Sequence, residues 1–295
     1  MIIKLLSNSQ LTDKYIKRRD FLKILVLSAL GSGVTSEALA KKITVFTASK
    51  TDPIDDHIRD YLYKMKHFNS THRDDIWIDR NVYDIFKSTL KRLNRIQELV
   101  GHGNFHILGF DDAINLTRYY PEIGEFSRKE LDFMEELFYK DATQYGFFGD
   151  KTLLGLTDRI KKSDVIYLSR HGNYLYRGRS LETYNKIKQQ VGRTVTLTSG
   201  VRGVMKQFLL FLNKAYKKQG NLSLASRSLA PPGYSFHANG DFDVGQAGFG
   251  ALNFTDRFTT TDAYHSLCDL GYLKLRYELD NRYGVRFEPW HIKVT

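Results

Sequence analysis

Ser235-Phe236-His237-Ala238-Asn239-Gly240-Asp241-Phe242-Asp243-Val244-Gly245 and Phe287-Glu288-Pro289-Trp290-His291 are the two stretches that do not read as scaffold. Together they supply two histidines, a carboxylate and a further glutamate. That is the donor set of a catalytic zinc, which takes three His or Asp/Glu ligands and keeps a fourth position for water. A carboxylate that is not a ligand can then take the proton of that water. In the helical HExxH arrangement both histidines share one face at i and i+4. Here Glu288 and His291 are three apart, and Pro289 forbids a helix interior. Residues three apart on a strand point to opposite faces. The spacing therefore predicts a bend at Pro289-Trp290 that turns both side chains toward one metal.

Outward from these stretches the chain alternates helices and short strands. Thr194 to Thr198 alternates and is β-branched, which predicts a strand running into Ser199-Gly200-Val201-Arg202. A helix is expected over 183–191, ended by Gly192, and another over 204–216 that buries Met205, Phe208, Leu209, Leu212 and Ala215. An irregular loop is expected over 220–235, a helix over 260–270 with Cys268 buried as a small hydrophobe, and a final strand over 284–294. Upstream, Val82 to Val100 has helical periodicity, and Ser127-Arg128-Lys129-Glu130 is a capping box opening a helix that runs to Gly146. A short strand is expected at 41–47. The expected fold is α+β: a small antiparallel sheet bearing the zinc site with flanking helices over 161–295, and a mostly helical region of unknown role over 41–160.

Composition narrows the class. The 295 residues are 42% hydrophobic and 26% charged, which excludes a disordered chain and a multi-span membrane protein. One cysteine, Cys268, excludes a disulfide framework and any multi-cysteine metal site. The formal net charge of +11 suits an anionic partner. No segment has the dense basic and aromatic interleaving that nucleic-acid binding needs, so no nucleic-acid partner is expected. Residues 1–40 read as a signal peptide. Lys17-Arg18-Arg19-Asp20-Phe21-Leu22-Lys23 precedes the apolar run 24–30, and Ala38-Leu39-Ala40 ends the segment. The run is too short to span a membrane. The segment resembles a twin-arginine signal, which implies the twin-arginine export machinery as a partner, cleavage near Ala40, and a periplasmic mature protein without a stable membrane span.

These motifs resemble those of the zinc D-Ala-D-Ala carboxypeptidases of the vancomycin-resistance type, within the group that includes lysostaphin-like endopeptidases and the hedgehog domain. That family's Ser-x-His-x-x-Gly, following Asp, Glu-x-x-His and preceding Ser-Gly-Tyr-Arg read here as Ser235 to Gly240, Asp243, Glu288 to His291, and Ser199 to Arg202. The resemblance implies Zn2+ on His237, Asp243 and His291, with Glu288 as general base and Arg202 beside the reacting group. It also implies Ser235, Gln207 and Ser199 in the pocket for a peptidoglycan stem peptide. Two departures stand out. Asp243 is six residues after His237 where the family has seven, which leaves Asp241 as an alternative ligand, and Val201 replaces the usual Tyr. A peptidoglycan endopeptidase, an L,D-carboxypeptidase and a non-catalytic zinc-bearing wall-binding module are the competing readings. His102, His106, His171 and His265 are expected on the surface or in the core, outside any metal site.

Overall fold

The structure is a computed structural model, and it describes residues 53–294 apart from Leu273. The expected signal segment and the strand at 41–47 lie outside the described residues. In chain order the elements are α1 (Pro53–Lys66), α2 (Tyr83–Val100), α3 (His102–Phe105), α4 (Phe110–Tyr119) and α5 (Arg128–Tyr139), then β1 (Val165–Leu168), β2 (Asn173–Tyr176) and α6 (Arg179–Val191). They continue as β3 (Val195–Ser199), α7 (Val204–Lys217), α8 (Leu222–Ser226), β4 (Phe242–Gln246), α9 (Asp262–Asp269) and β5 (His291–Ile292). Residues from His57 to the C-terminus form one compact unit, and the expected boundary near residue 160 falls inside it.

Two apolar cores organise this unit. Helical periodicity builds the first: Phe86, Leu93 and Ile96 of α2 meet Met134 and Phe138 of α5 and Met205, Phe208 and Leu212 of α7. Helices upstream of residue 160 thus share a core with a helix well downstream of it. The second core lies against the antiparallel sheet β3-β4-β5. Leu197, Phe242, Val244 and Ile292 from the strands pack there with Ile187 of α6 and Leu267 of α9. Period-two alternation on β4 sends Phe242 and Val244 into this core and leaves Asp243 for the opposite face. A register shift between Leu197 and Ser199 sets Ser199 opposite Asp243.

Several local expectations need correction. The helix opened by the Ser127 capping box, with both reciprocal bonds formed, ends at Tyr139 and not at Gly146. Asp141 recaps the chain by accepting from the Thr143 amide, which starts a separate 3-10 turn. The 220–235 segment contains helix α8, because the Asn221 side chain accepts from the Leu224 amide. The 284–294 segment pairs in the sheet only at His291–Ile292. Its Arg286 amide donates to the Arg227 carbonyl and its Glu288 amide to the Tyr277 carbonyl, so neither is available to a strand ladder, and Pro289 has no N–H. Cys268 is exposed; Ala263 and Leu267 are the buried residues of α9. The hairpin β1-β2 carried no signal in the sequence reading.

Candidate metal centre and cleft

The two stretches converge. His237 sits on a 3-10 turn just before β4, Asp243 on β4 and His291 at the start of β5, and Asp243 is the register partner of His291. One ligand atom from each lies within 4.8 Å of the others, and all three residues are buried. The expected bend exists: the His291 amide bonds back to the Glu288 carbonyl, closing a turn over Pro289-Trp290. It brings a Glu288 carboxylate oxygen to 3.7 Å from His291 Nδ1.

Hydrogen bonding sets which atom each histidine presents. His237 Nδ1 donates to the Gly200 carbonyl at 2.7 Å, which leaves Nε2 as a lone pair aimed at Asp243 Oδ1, 3.2 Å away. Both of these atoms are buried and without a hydrogen-bond partner. Two facing acceptors repel unless a cation lies between them. His291 donates from Nε2 to Asp241 Oδ2 at 3.1 Å, and its Nδ1 lies 3.3 Å from Asp243 Oδ1. A tetrahedral ion about 2.05 Å from each ligand would set neighbouring ligand atoms about 3.3 Å apart. The donor set and its spacing fit zinc.

Asp241 lies behind His291, outside the ligand cluster. Its carboxylate also accepts from Arg276 at 2.8 and 3.2 Å and from the Val294 amide at 2.9 Å. This is the carboxylate–histidine arrangement that fixes the orientation of a metal ligand. Burial would raise the Asp241 pKa, but the contacts from His291 and Arg276 hold it well below the usual range. The same balance, with His237 and Arg202 as partners, holds Asp243 ionised. His237 is pushed down to about 4 by burial and by Arg202, so its ring is neutral. Glu288 is pushed up to about 7 by burial, opposed by His291 and reinforced by Asp243.

The segment 199–202 is held from several sides. Its Gly200 amide donates to Asn173 Oδ1 at 3.3 Å, and its Val201 amide to the Tyr174 carbonyl at 2.8 Å. Only glycine fits at position 200, where a Cβ would stand 2.0 Å from the Tyr174 carbonyl oxygen. Arg202 donates from Nε to Ser199 Oγ at 2.9 Å and from Nη2 to Asp243 Oδ2 at 2.5 Å. Gln207 is buried; its amide donates to the Arg202 carbonyl and its oxygen accepts from the Gly233 amide, both at 2.8 Å. Gln207 thereby clasps the Arg202 loop to the chain that leads into Ser235.

A cleft of 440 Å³ opens on the cluster, lined by Arg202, Ser235, His237, Asp243, Glu288 and His291. Tyr277, Lys214 and Arg286 also line it, and the sequence reading picked out none of them. They sit in segments without a recognisable motif, so only chain folding brings them here. The other histidines stay apart: His106 is buried against the Val201 carbonyl, His171 bonds Tyr184 and Thr196, and His102 and His265 are exposed.

Residues 178–294 match the family model VanY, D-alanyl-D-alanine carboxypeptidase. This segment is a VanY domain. All the ligand-cluster residues, Glu288 and Arg202 fall within it. No curated protein matches the chain. Among solved structures, the LdcB LD-carboxypeptidase is 19% identical, with 46% of this chain and 69% of that chain covered and a TM-score of 0.38. A mutant of the vancomycin-resistance D,D-pentapeptidase VanY in complex with Zn(II) is 24% identical over 44% of this chain and 77% of its own, with a TM-score of 0.33. VanYB in complex with D-alanine-D-alanine is 22% identical over 50% of this chain and 85% of its own, with a TM-score of 0.36.

Proposed function

We propose that the chain is a zinc-dependent D-alanyl-D-alanine carboxypeptidase that trims peptidoglycan stem peptides. The observation that carries this reading is the buried pair of facing acceptors, His237 Nε2 and Asp243 Oδ1, with a buried carboxylate that is not a ligand, Glu288, beside the third ligand. His237, Asp243 and His291 would hold the ion. Bound zinc supplies a Lewis acid that polarises a carbonyl and acidifies water. Glu288 takes the proton of the attacking water and delivers it to the departing amine nitrogen, roles that suit a carboxyl poised near neutrality. A purely structural zinc would have no use for that additional, unligated carboxylate.

Arg202 lines the cleft with a rigidly held guanidinium. It binds the C-terminal carboxylate or the oxyanion that develops beside it. Ser199 positions Arg202, Gln207 positions its loop, and Ser235 contributes to the cleft wall. Among the described residues no helix is long and apolar enough to cross a membrane. With the twin-arginine-like segment, this supports an exported enzyme that works on the wall outside the cytoplasm.

The test is digestion of a pentapeptide stem ending in D-Ala-D-Ala. Loss of one alanine mass, dependent on zinc and abolished by amidating the C-terminus, supports the reading. Equal cleavage of free and amidated peptides would favour an endopeptidase, cleavage of only an L,D bond an L,D-carboxypeptidase, and no cleavage a wall-binding module.

A further inference from the structure

Two peptide groups flank the Arg202 Cα, and one residue grips both. His106 Nδ1 donates to the Val201 carbonyl at 3.2 Å, and the His106 carbonyl accepts from the Gly203 amide at 2.7 Å. The Gln207 side chain holds the Arg202 carbonyl as well, at 2.8 Å. With the planes before and after it pinned, Arg202 has little backbone freedom left. The direction in which its side chain leaves the chain is set accordingly.

The helical region upstream carries His106 to this place. His106 follows the short helix α3, its own amide bonding back to the Gly103 carbonyl, and it is buried. Its neighbour Ile107 packs with Val165 of β1 against the buried Val201 side chain, and Ile160, Tyr174 and Tyr176 complete that small apolar core. Glycine at position 203 admits the close approach, since a Cβ there would stand 3.1 Å from the His106 carbonyl oxygen and 3.5 Å from Ile160 Cγ1. Asn173 and Tyr174 accept from the Gly200 and Val201 amides. All of these partners precede residue 178, where the family match begins. The arginine loop thus belongs to the VanY domain but is seated on chain outside it.

A neutral histidine suits the position. The buried Val201 carbonyl needs a donor, and leaving it without one is costly. Burial, then Lys206 and Arg202, push His106 down to about 3, so its ring is uncharged near neutral pH. It donates from Nδ1 without setting another cation beside Arg202. Arg202 and His237 line the cleft, whereas His106 lies behind the loop and is not part of the cleft wall.

We infer that His106 is a positioning residue for Arg202: it pins the peptide groups on both sides of the arginine and makes the region upstream of residue 178 part of the active site. The inference rests on the carboxypeptidase reading for what Arg202 does to a substrate. The geometry of the loop is tested without it.

His106→Leu keeps an apolar side chain and removes the donor, whereas His106→Asn places an amide NH2 where Nδ1 stands. The zinc-loaded proteins, each with its metal content measured, are compared on a pentapeptide ending in D-Ala-D-Ala. Hydrogen exchange is followed by mass spectrometry over residues 199–204, with β4 as the control. Misplacing a reacting group by about 1 Å costs up to about 10²-fold in rate, so His106→Leu should lose about 10-fold or more in kcat/KM. Its exchange over 199–204 should be about 10-fold faster with β4 unchanged. His106→Asn should stay within about threefold of the wild type in both measurements. On an Arg202→Ala background, His106→Leu should cost less than about twofold, since the group it positions is gone. A loss of the same size with and without Arg202, unchanged exchange over 199–204 in His106→Leu, or faster exchange spread equally over β4 would overturn the inference. If the wild type cleaves no such peptide, the carboxypeptidase reading fails, and the exchange result alone decides the positioning role.

Discussion

Asp241→Asn isolates the group behind the metal centre. In the wild type the carboxylate accepts from His291 Nε2 at 3.1 Å, twice from Arg276 at 2.8 and 3.2 Å, and from the Val294 amide at 2.9 Å. An asparagine of the same shape keeps one acceptor oxygen and turns an NH2 toward the remaining donors. Where that NH2 meets His291, the ring is driven to accept at Nε2 and to carry its proton on Nδ1, the atom that faces Asp243. Zinc must then undo this tautomer before it can bind. Losing such a support typically costs 10- to 100-fold in metal affinity, about 1.4–2.7 kcal/mol. A separate effect acts on the fold, because Arg276 loses its ion pair with Asp241, and breaking a buried pair costs about 3–5 kcal/mol.

Two measurements keep the effects apart. Chelator competition reads the zinc Kd, and thermal melting of the metal-free protein reads stability. Asp241→Asn/Arg276→Gln should recover part of the stability while leaving zinc binding weak, since the paired side chains are again both neutral and His291 still lacks its carboxylate. A folded Asp241→Asn protein that binds zinc within about threefold of the wild type would refute the orienting role. It would also show that the approach of Asp241 to His291 contributes only to packing.

The remaining expectations concern the site and the leader. Glu288→Gln should keep zinc and melt near the wild-type temperature while peptide turnover falls about 10²- to 10⁴-fold, as measured by alanine release. Gly200→Ala should displace the carbonyl that fixes His237, because its Cβ would meet the Tyr174 carbonyl oxygen at 2.0 Å. Zinc content after dialysis should drop together with stability, and a metal-replete, fully stable Gly200→Ala protein would contradict the close approach. Arg18→Lys/Arg19→Lys should leave unprocessed precursor in the cytoplasm, seen by fractionation and N-terminal sequencing. A mature N-terminus at Lys41 despite the change would point to the general secretory route.

Much of the centre was legible because its donors lie in two short, compositionally odd segments. His237, Glu288 and His291, with either Asp241 or Asp243, could be named from residue type and order, and Pro289 together with the three-residue spacing predicted the turn that brings Glu288 beside His291. The periodic helices 83–100 and 204–217 were equally plain, since a 3.6-residue apolar repeat has one good burial solution. Elements defined by non-local hydrogen bonds were not. The 284–294 segment has the composition of a strand, but its amides are claimed by Arg227 and Tyr277 carbonyls that no local pattern predicts.

Which of Asp241 and Asp243 faces the ligand cluster was open in the sequence and closed by the fold. Local chemistry determines which atoms could bind a metal, and the order of residues determines the elements that carry them. Asp241 and Asp243 are two positions apart, so strand alternation does not separate them, and the choice depends on what each one meets in the folded chain. Asp243 is set against His291 by strand register, while Asp241 is captured by Arg276, a residue from a segment without a motif. The wall of the cleft has the same origin. Lys214 and Arg286 are far apart in the chain, and only the packing of α7 beside the Glu288 turn makes their charges neighbours.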